Sequence, residues 1–147
     1  MDQVRSKKFD IHRTNRANAP IFVFIHGGNW LLGSAKQFGY PAEMFINAGV
    51  HYVALDSLLP NAMADAMSSP RHIDKLNAPI VVTYGTLESP DFQRQSRDFA
   101  ALVKTAGKSV QVIEARNYHH FEMVESLGNP YGPNGGAALA LMKLPPT

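Results

Sequence analysis

Two hydrophobic periods alternate along this chain, one of about two residues and one of about 3.6. Phe9-Asp10-Ile11-His12 steps between apolar and polar, the pattern of a short half-buried strand. Ile21-Phe-Val-Phe-Ile25 is a continuous apolar run and predicts a strand buried on both faces. Residues 40–48 carry Phe45 and Ile46 at helical spacing and stop at Gly49, a residue suited to the position after a helix. Residues 50–55 predict another strand, 58–67 a helix, and 70–76 a short polar helix or turn. A strand over 79–84 ends at Gly85. Ser89-Pro90-Asp91 is a helix start: a cap, proline at the first position, then an acid. That helix is expected to bury Phe92, Phe99, Leu102 and Val103 on one face and to stop at Gly107. A strand over 109–113, a short helix over 121–127, a loop over 128–135 and a last helix over 135–144 complete the chain. Strands that alternate with helices predict an α/β fold, a mostly parallel sheet flanked by helices on both faces. With no repeat, low-complexity tract or linker, residues 1–147 read as a single domain.

Composition narrows the function classes. At 147 residues, 45% apolar and 18% charged, the chain can bury a real core. Its net charge of +2 is scattered, with Lys7, Lys8, Arg13 and Arg16 as the only mild concentration. No basic run interleaves with aromatics, so no nucleic-acid partner is expected. The absence of cysteine excludes disulfides, thiolate metal sites and a cysteine nucleophile. It is compatible with the cytosol, and a cytoplasmic location is expected. Residues 1–8 lack an apolar core, so no signal peptide is expected. No apolar stretch is long enough for a bilayer, and no membrane partner is expected.

Three stretches carry chemistry. His26-Gly27-Gly28-Asn29-Trp30 follows the first long apolar strand. Backbone N–H groups in such a turn can stabilise the oxyanion of an acyl-transfer intermediate, and glycine lets the backbone approach substrate closely. Gly27, Gly28 and Asn29 are the oxyanion candidates, and Trp30 is the candidate substrate contact. An ordinary Gly-Gly loop is the bland alternative; the strand before it, and Trp30 and Gly33 after it, weigh against that. Next, Glu88 lies just past a strand end, the edge where α/β sheets build sites. It can orient a histidine, although an acid near a helix start is also favoured by the helix dipole alone. Third, His119-His120 precedes an apolar helix. His120, next to the helix start, is the candidate general base, while His119, His12, His51 and His72 read as ordinary. A metal site is not expected, for want of a third ligand at sensible spacing, and no cofactor is expected either.

The stretches Ile25-His-Gly-Gly-Asn-Trp30, Tyr84-Gly-Thr-Leu-Glu-Ser-Pro-Asp-Phe-Gln-Arg-Gln-Ser96 and His119-His-Phe-Glu122 together resemble the arylformamidase (kynurenine formamidase-like) branch of the α/β-hydrolases. The resemblance runs from about Phe9 to the end of the chain. It implies an oxyanion loop at residues 26–29, an acid at Glu88 and a histidine at His120. Glu88 is a mild departure, since the family usually has Asp there. The implied substrates are small aryl amides, formamides or esters. The family's serine nucleophile sits in Gly-x-Ser-x-Gly, before the acid in chain order. No glycine occurs from Val50 through Tyr84, so the elbow is absent in that form. Ser57, Ser68 and Ser69 are the serines in the window, and each reads as a cap or turn residue. The nucleophile is therefore unassigned, and the fold reads as partial, shortened near residues 57–68. Loss of the elbow strand would leave the Ile21–Ile25 strand at an open edge. Two repairs are expected: the strand at 80–84 moves in beside it, or a second copy of the chain covers it as a homodimer. For function, a hydrolase of small acyl substrates is the first reading. The alternative is a non-catalytic remnant acting as a binding or interaction module. A third is slow hydrolysis in which His120 activates water.

Overall fold

The computed structural model describes residues 9–25, 34–55 and 69–146. They belong to two compact units, Met1–Ala64 and Asp65–Pro146. The helix expected over 58–67 lies outside the described residues.

In the first unit, β1 (Phe9–His12), β2 (Ile21–Ile25) and β3 (His51–Leu55) form a sheet in the order β1-β3-β2. β1 is antiparallel to β3, and β2 is parallel to it. The parallel pair needs a crossover, supplied by a 3-10 turn at Ala35–Phe38 and helix α1 (Ala42–Asn47). α1 ends as the sequence predicts. Gly49 takes φ +77°, the Gly49 N–H reaches the Ile46 carbonyl and the Val50 N–H reaches the Phe45 carbonyl. These are the two hydrogen bonds of a Schellman motif.

The register divides the strand residues between two faces. Phe22, Phe24 and Tyr52 share one face with the side chains of the crossover. Phe22 stacks on Phe45 at 4.2 Å, Phe24 meets Phe38 at 5.2 Å, and Phe45 meets Tyr52 at 5.4 Å. Tyr52 and Phe45 are fully buried. The opposite face carries Phe9, Ile11, Ile21, Val23 and Ile25, all exposed. The expectation that β2 is buried on both faces is therefore corrected. Its apolar run alternates between an aromatic core on one side and exposed aliphatics on the other, because its described partners cover one face only. Among the described residues, β2 pairs with β3 and β4 pairs with β5.

In the second unit, β4 (Ile80–Gly85) runs parallel to β5 (Val110–Ala115), with α2 (Pro90–Thr105) as the crossover. Then follow α3 (His120–Glu125), a 3-10 turn at Ser126–Gly128 and α4 (Pro133–Leu141). Successive strand residues point to opposite faces. Tyr84 lies under Arg97 of α2, whereas Thr83 hydrogen-bonds Asn134 of α4. Helices thus flank both faces of this parallel pair. α2 starts as predicted: Ser89 Oγ accepts from the Phe92 N–H at 3.4 Å, and Pro90 stands at the first turn. It ends before Gly107, at φ +72°. Its inward stripe differs from the expected one. Ala100 and Val103 are buried, while Phe92 and Leu102 are about half exposed. The last helix starts two residues earlier than expected, because Pro133 is pre-set for a first turn. The segment at 70–76 is a 3-10 turn, Ser69–Lys75, kinked at His72. Among the described residues, no helix is long and apolar enough to cross a membrane.

Candidate functional site

β4 and β5, being parallel, bring the loops after their C-terminal ends together. Those loops are joined by three hydrogen bonds. The Thr86 N–H reaches the Ala115 carbonyl at 3.0 Å, the Leu87 N–H reaches the Tyr118 carbonyl at 3.1 Å, and the Asn117 N–H reaches Thr86 Oγ1 at 2.8 Å. Asn117 sits at φ +62°, a left-handed conformation that asparagine tolerates better than most residues. Gly85 is needed at the crossing, since a Cβ there would lie 2.1 Å from the Tyr118 carbonyl oxygen.

This scaffold brings two of the sequence candidates together. Glu88 turns back at the end of β4, and its Oε2 accepts the Gly85 N–H at 2.9 Å. Its Oε1 lies 2.7 Å from His120 Nδ1. The carboxylate is 8% exposed and the imidazole 51% exposed. A carboxylate can only accept, so the contact puts the ring proton on Nδ1 and leaves Nε2 with a free lone pair. The carboxylate is thus shielded and the imidazole accessible.

Further residues support the pair. Gln93 Nε2 donates to the Thr86 carbonyl at 3.1 Å and the Glu88 carbonyl at 2.9 Å, fixing the turn that holds the acid. Phe92 stacks on the His120 ring with centroids 4.7 Å apart, and Phe121 meets it edge-on at 5.8 Å. Asn134 donates to the Met123 carbonyl and joins Thr83, tying α3 back to β4. Gln93 and Phe92 were missed as site residues. Both stand in the quoted stretch from Tyr84 to Ser96, but Phe92 reads there as a core position.

His119 does a different job from its neighbour. Its Nδ1 accepts the Glu122 N–H while Glu122 Oε2 accepts the His119 N–H at 2.9 Å, a capping box at the start of α3. His51 Nδ1 accepts the Thr14 N–H, and His12 lies against Tyr52. Gly27, Gly28, Asn29 and Trp30 lie outside the described residues, as do Ser57 and Ser68. Among the described residues, no group of three His, Asp or Glu gathers as a metal site would need.

Solved structures share this architecture. Esterase 2 of Thermogutta terrifontis, phosphoramylated by tabun, superposes with a TM-score of 0.60 at 16% identity, over 93% of this chain and 86% of the other. A propionate-bound structure of the Thermogutta terrifontis esterase gives 0.59 at 14% identity, and the native one 0.58 at 15%. They cover 93% of this chain and 86% and 85% of the other, respectively. The chain has the α/β-hydrolase fold. No family model and no curated protein matches its sequence. In the α/β-hydrolase fold the acid and histidine follow two late strands, with the nucleophile before them. In this chain Glu88 follows β4 and His120 follows β5.

Proposed function

We propose that this chain is a hydrolase of small acyl compounds, acting on aryl amides, formamides or esters through a His120–Glu88 relay. The observation that carries the reading is the 2.7 Å contact between His120 Nδ1 and a shielded Glu88, which leaves Nε2 accessible. In this reading the nucleophile is water, since the sequence contains no Gly-x-Ser-x-Gly. Nε2 takes a proton from the water as its oxygen forms a bond to the acyl carbon. Glu88 stabilises the imidazolium that results. The N–H groups of Gly27, Gly28 and Asn29 are assigned to the oxyanion. Trp30 is assigned to the substrate. Collapse of the tetrahedral intermediate breaks the bond to the leaving group. That group takes the proton from Nε2, and the products are the acid and an amine or alcohol.

Slow turnover of an aryl formamide or ester is expected. His120→Ala should abolish it, and Glu88→Gln should lower it by at least about tenfold. Turnover that survives His120→Ala overturns the reading. Stoichiometric labelling of a serine by a fluorophosphonate would replace water with that serine as the nucleophile.

A further inference from the structure

Among the described residues the His120 ring makes one hydrogen bond, yet half of the side chain faces solvent. One hydrogen bond at Nδ1 fixes a point on the ring but not its plane, and the second torsion of histidine is broad. A base that must present Nε2 to a nucleophile needs a second constraint. Phe92 meets the ring face at 4.7 Å with an interplanar angle of 24°. Phe92 is 49% exposed, so burial of its own surface does not explain a large apolar residue in the first turn of α2. The next residue, Gln93, fixes the Glu88 turn through two carbonyls.

We propose that Phe92 is a positioning residue for His120. It sets the plane of the imidazole, so that one turn of α2 orients both halves of the relay: Phe92 the base and Gln93 the acid. This rests on the reading of His120 as the base. The stack also favours the imidazolium formed when Nε2 accepts a proton, because an aromatic face attracts a cation. His119 is the internal contrast. It is equally exposed and also has a carboxylate neighbour, Glu122 at 3.6 Å, but its Nδ1 is spent capping α3 and, among the described residues, no ring stacks on it face to face.

The experiment is ¹⁵N NMR of the histidine side chains in the full chain, read together with kinetics. The wild-type His120 spectrum should show one tautomer, protonated at Nδ1. Phe92→Ala should give a tautomer-averaged pattern, Phe92→Leu should resemble it, and Phe92→Tyr should restore the wild-type pattern. With an aryl ester, Phe92→Ala should lower kcat by about three- to tenfold with KM within about twofold. An unchanged tautomer pattern in Phe92→Ala overturns the proposal whatever the kinetics show. A pattern that changes as expected in a chain without turnover upholds the placement of Phe92 and instead overturns the hydrolase reading. Phe92 is exposed, so the variants should melt close to the wild type. If Phe92→Ala nevertheless unfolds, the Leu and Tyr variants decide between a merely apolar cover and an aromatic stack.

Discussion

Tyr52 shows how one side chain couples the core to pH. It is fully buried against Phe45, and its hydroxyl donates to the Phe38 carbonyl at 2.6 Å. Burial, with Tyr40 nearby, raises the phenol well above the ordinary tyrosine value. A raised value means that the unfolded chain loses this proton first as pH rises. Tyr52 therefore leaves stability unchanged below about pH 10, the ordinary value, and above it removes up to about 1.4 kcal/mol per pH unit. Tyr52→Phe should cost about 1 kcal/mol at pH 7, from the lost hydrogen bond, and should flatten the alkaline slope. Guanidinium unfolding from pH 7 to 11 measures both, and parallel slopes in the two proteins would contradict the assignment. At this scale the sequence was legible where a residue's placement follows from its immediate neighbours. Glu88 past a strand end and His120 at a helix start are such cases. It was not legible where the partner comes from elsewhere in the chain. Phe92 could not be told from a core residue, since its partner lies 28 positions further on. The capping role of His119 was overlooked, although Glu122 three residues later was in view.

The elements were most legible at their ends, because caps and stop signals are local chemistry. Ser89-Pro90 and Gly107 bracket α2 in the sequence and in the structure. Ser89→Ala should therefore lower stability by about 1 kcal/mol, the usual cost of a lost cap, in a thermal or urea melt. No change in stability would mean that Pro90 and Asp91 set the helix start without the hydroxyl. The faces were harder. A helical stripe through Phe92, Phe99, Leu102 and Val103 is apolar, but the helix turns Ala100 and Val103 inward and leaves Phe92 and Leu102 half exposed. Small residues let α2 approach β4 and β5 closely, so the inward stripe is less apolar in text than its neighbour. Likewise, an unbroken apolar strand does not state how many of its faces are covered. β2 has the composition of a central strand, but its exposure alternates like that of a half-covered one.

At the scale of the whole molecule, the half-covered sheet bears on association. Phe9 and Ile11 of β1 and Ile21, Val23 and Ile25 of β2 lie on one face of the sheet, and Ile21 is 63% exposed. Isolated apolar residues on a surface need no explanation, but a contiguous aliphatic patch favours association. The strands that would separate β2 from β4 in a longer α/β-hydrolase sheet have no counterpart among the described residues. β2 therefore combines an apolar face with an edge that has no described strand partner, and both favour a second chain. We expect the protein to self-associate through this sheet at micromolar concentrations. Val23→Lys places a charge in the middle of the β2 part of the patch, on a half-exposed position where a substitution changes stability by no more than about 0.5 kcal/mol. It should shift sedimentation velocity profiles toward monomer while leaving the circular dichroism spectrum unchanged. Asp98→Lys, a control on the exposed side of α2 far from that sheet in sequence, should leave association as it was. A wild-type chain that sediments as a monomer at every concentration would mean that the patch is covered within one copy. The face would then have to be closed by residues of the same chain, and Val23→Lys would destabilise the fold instead of separating subunits.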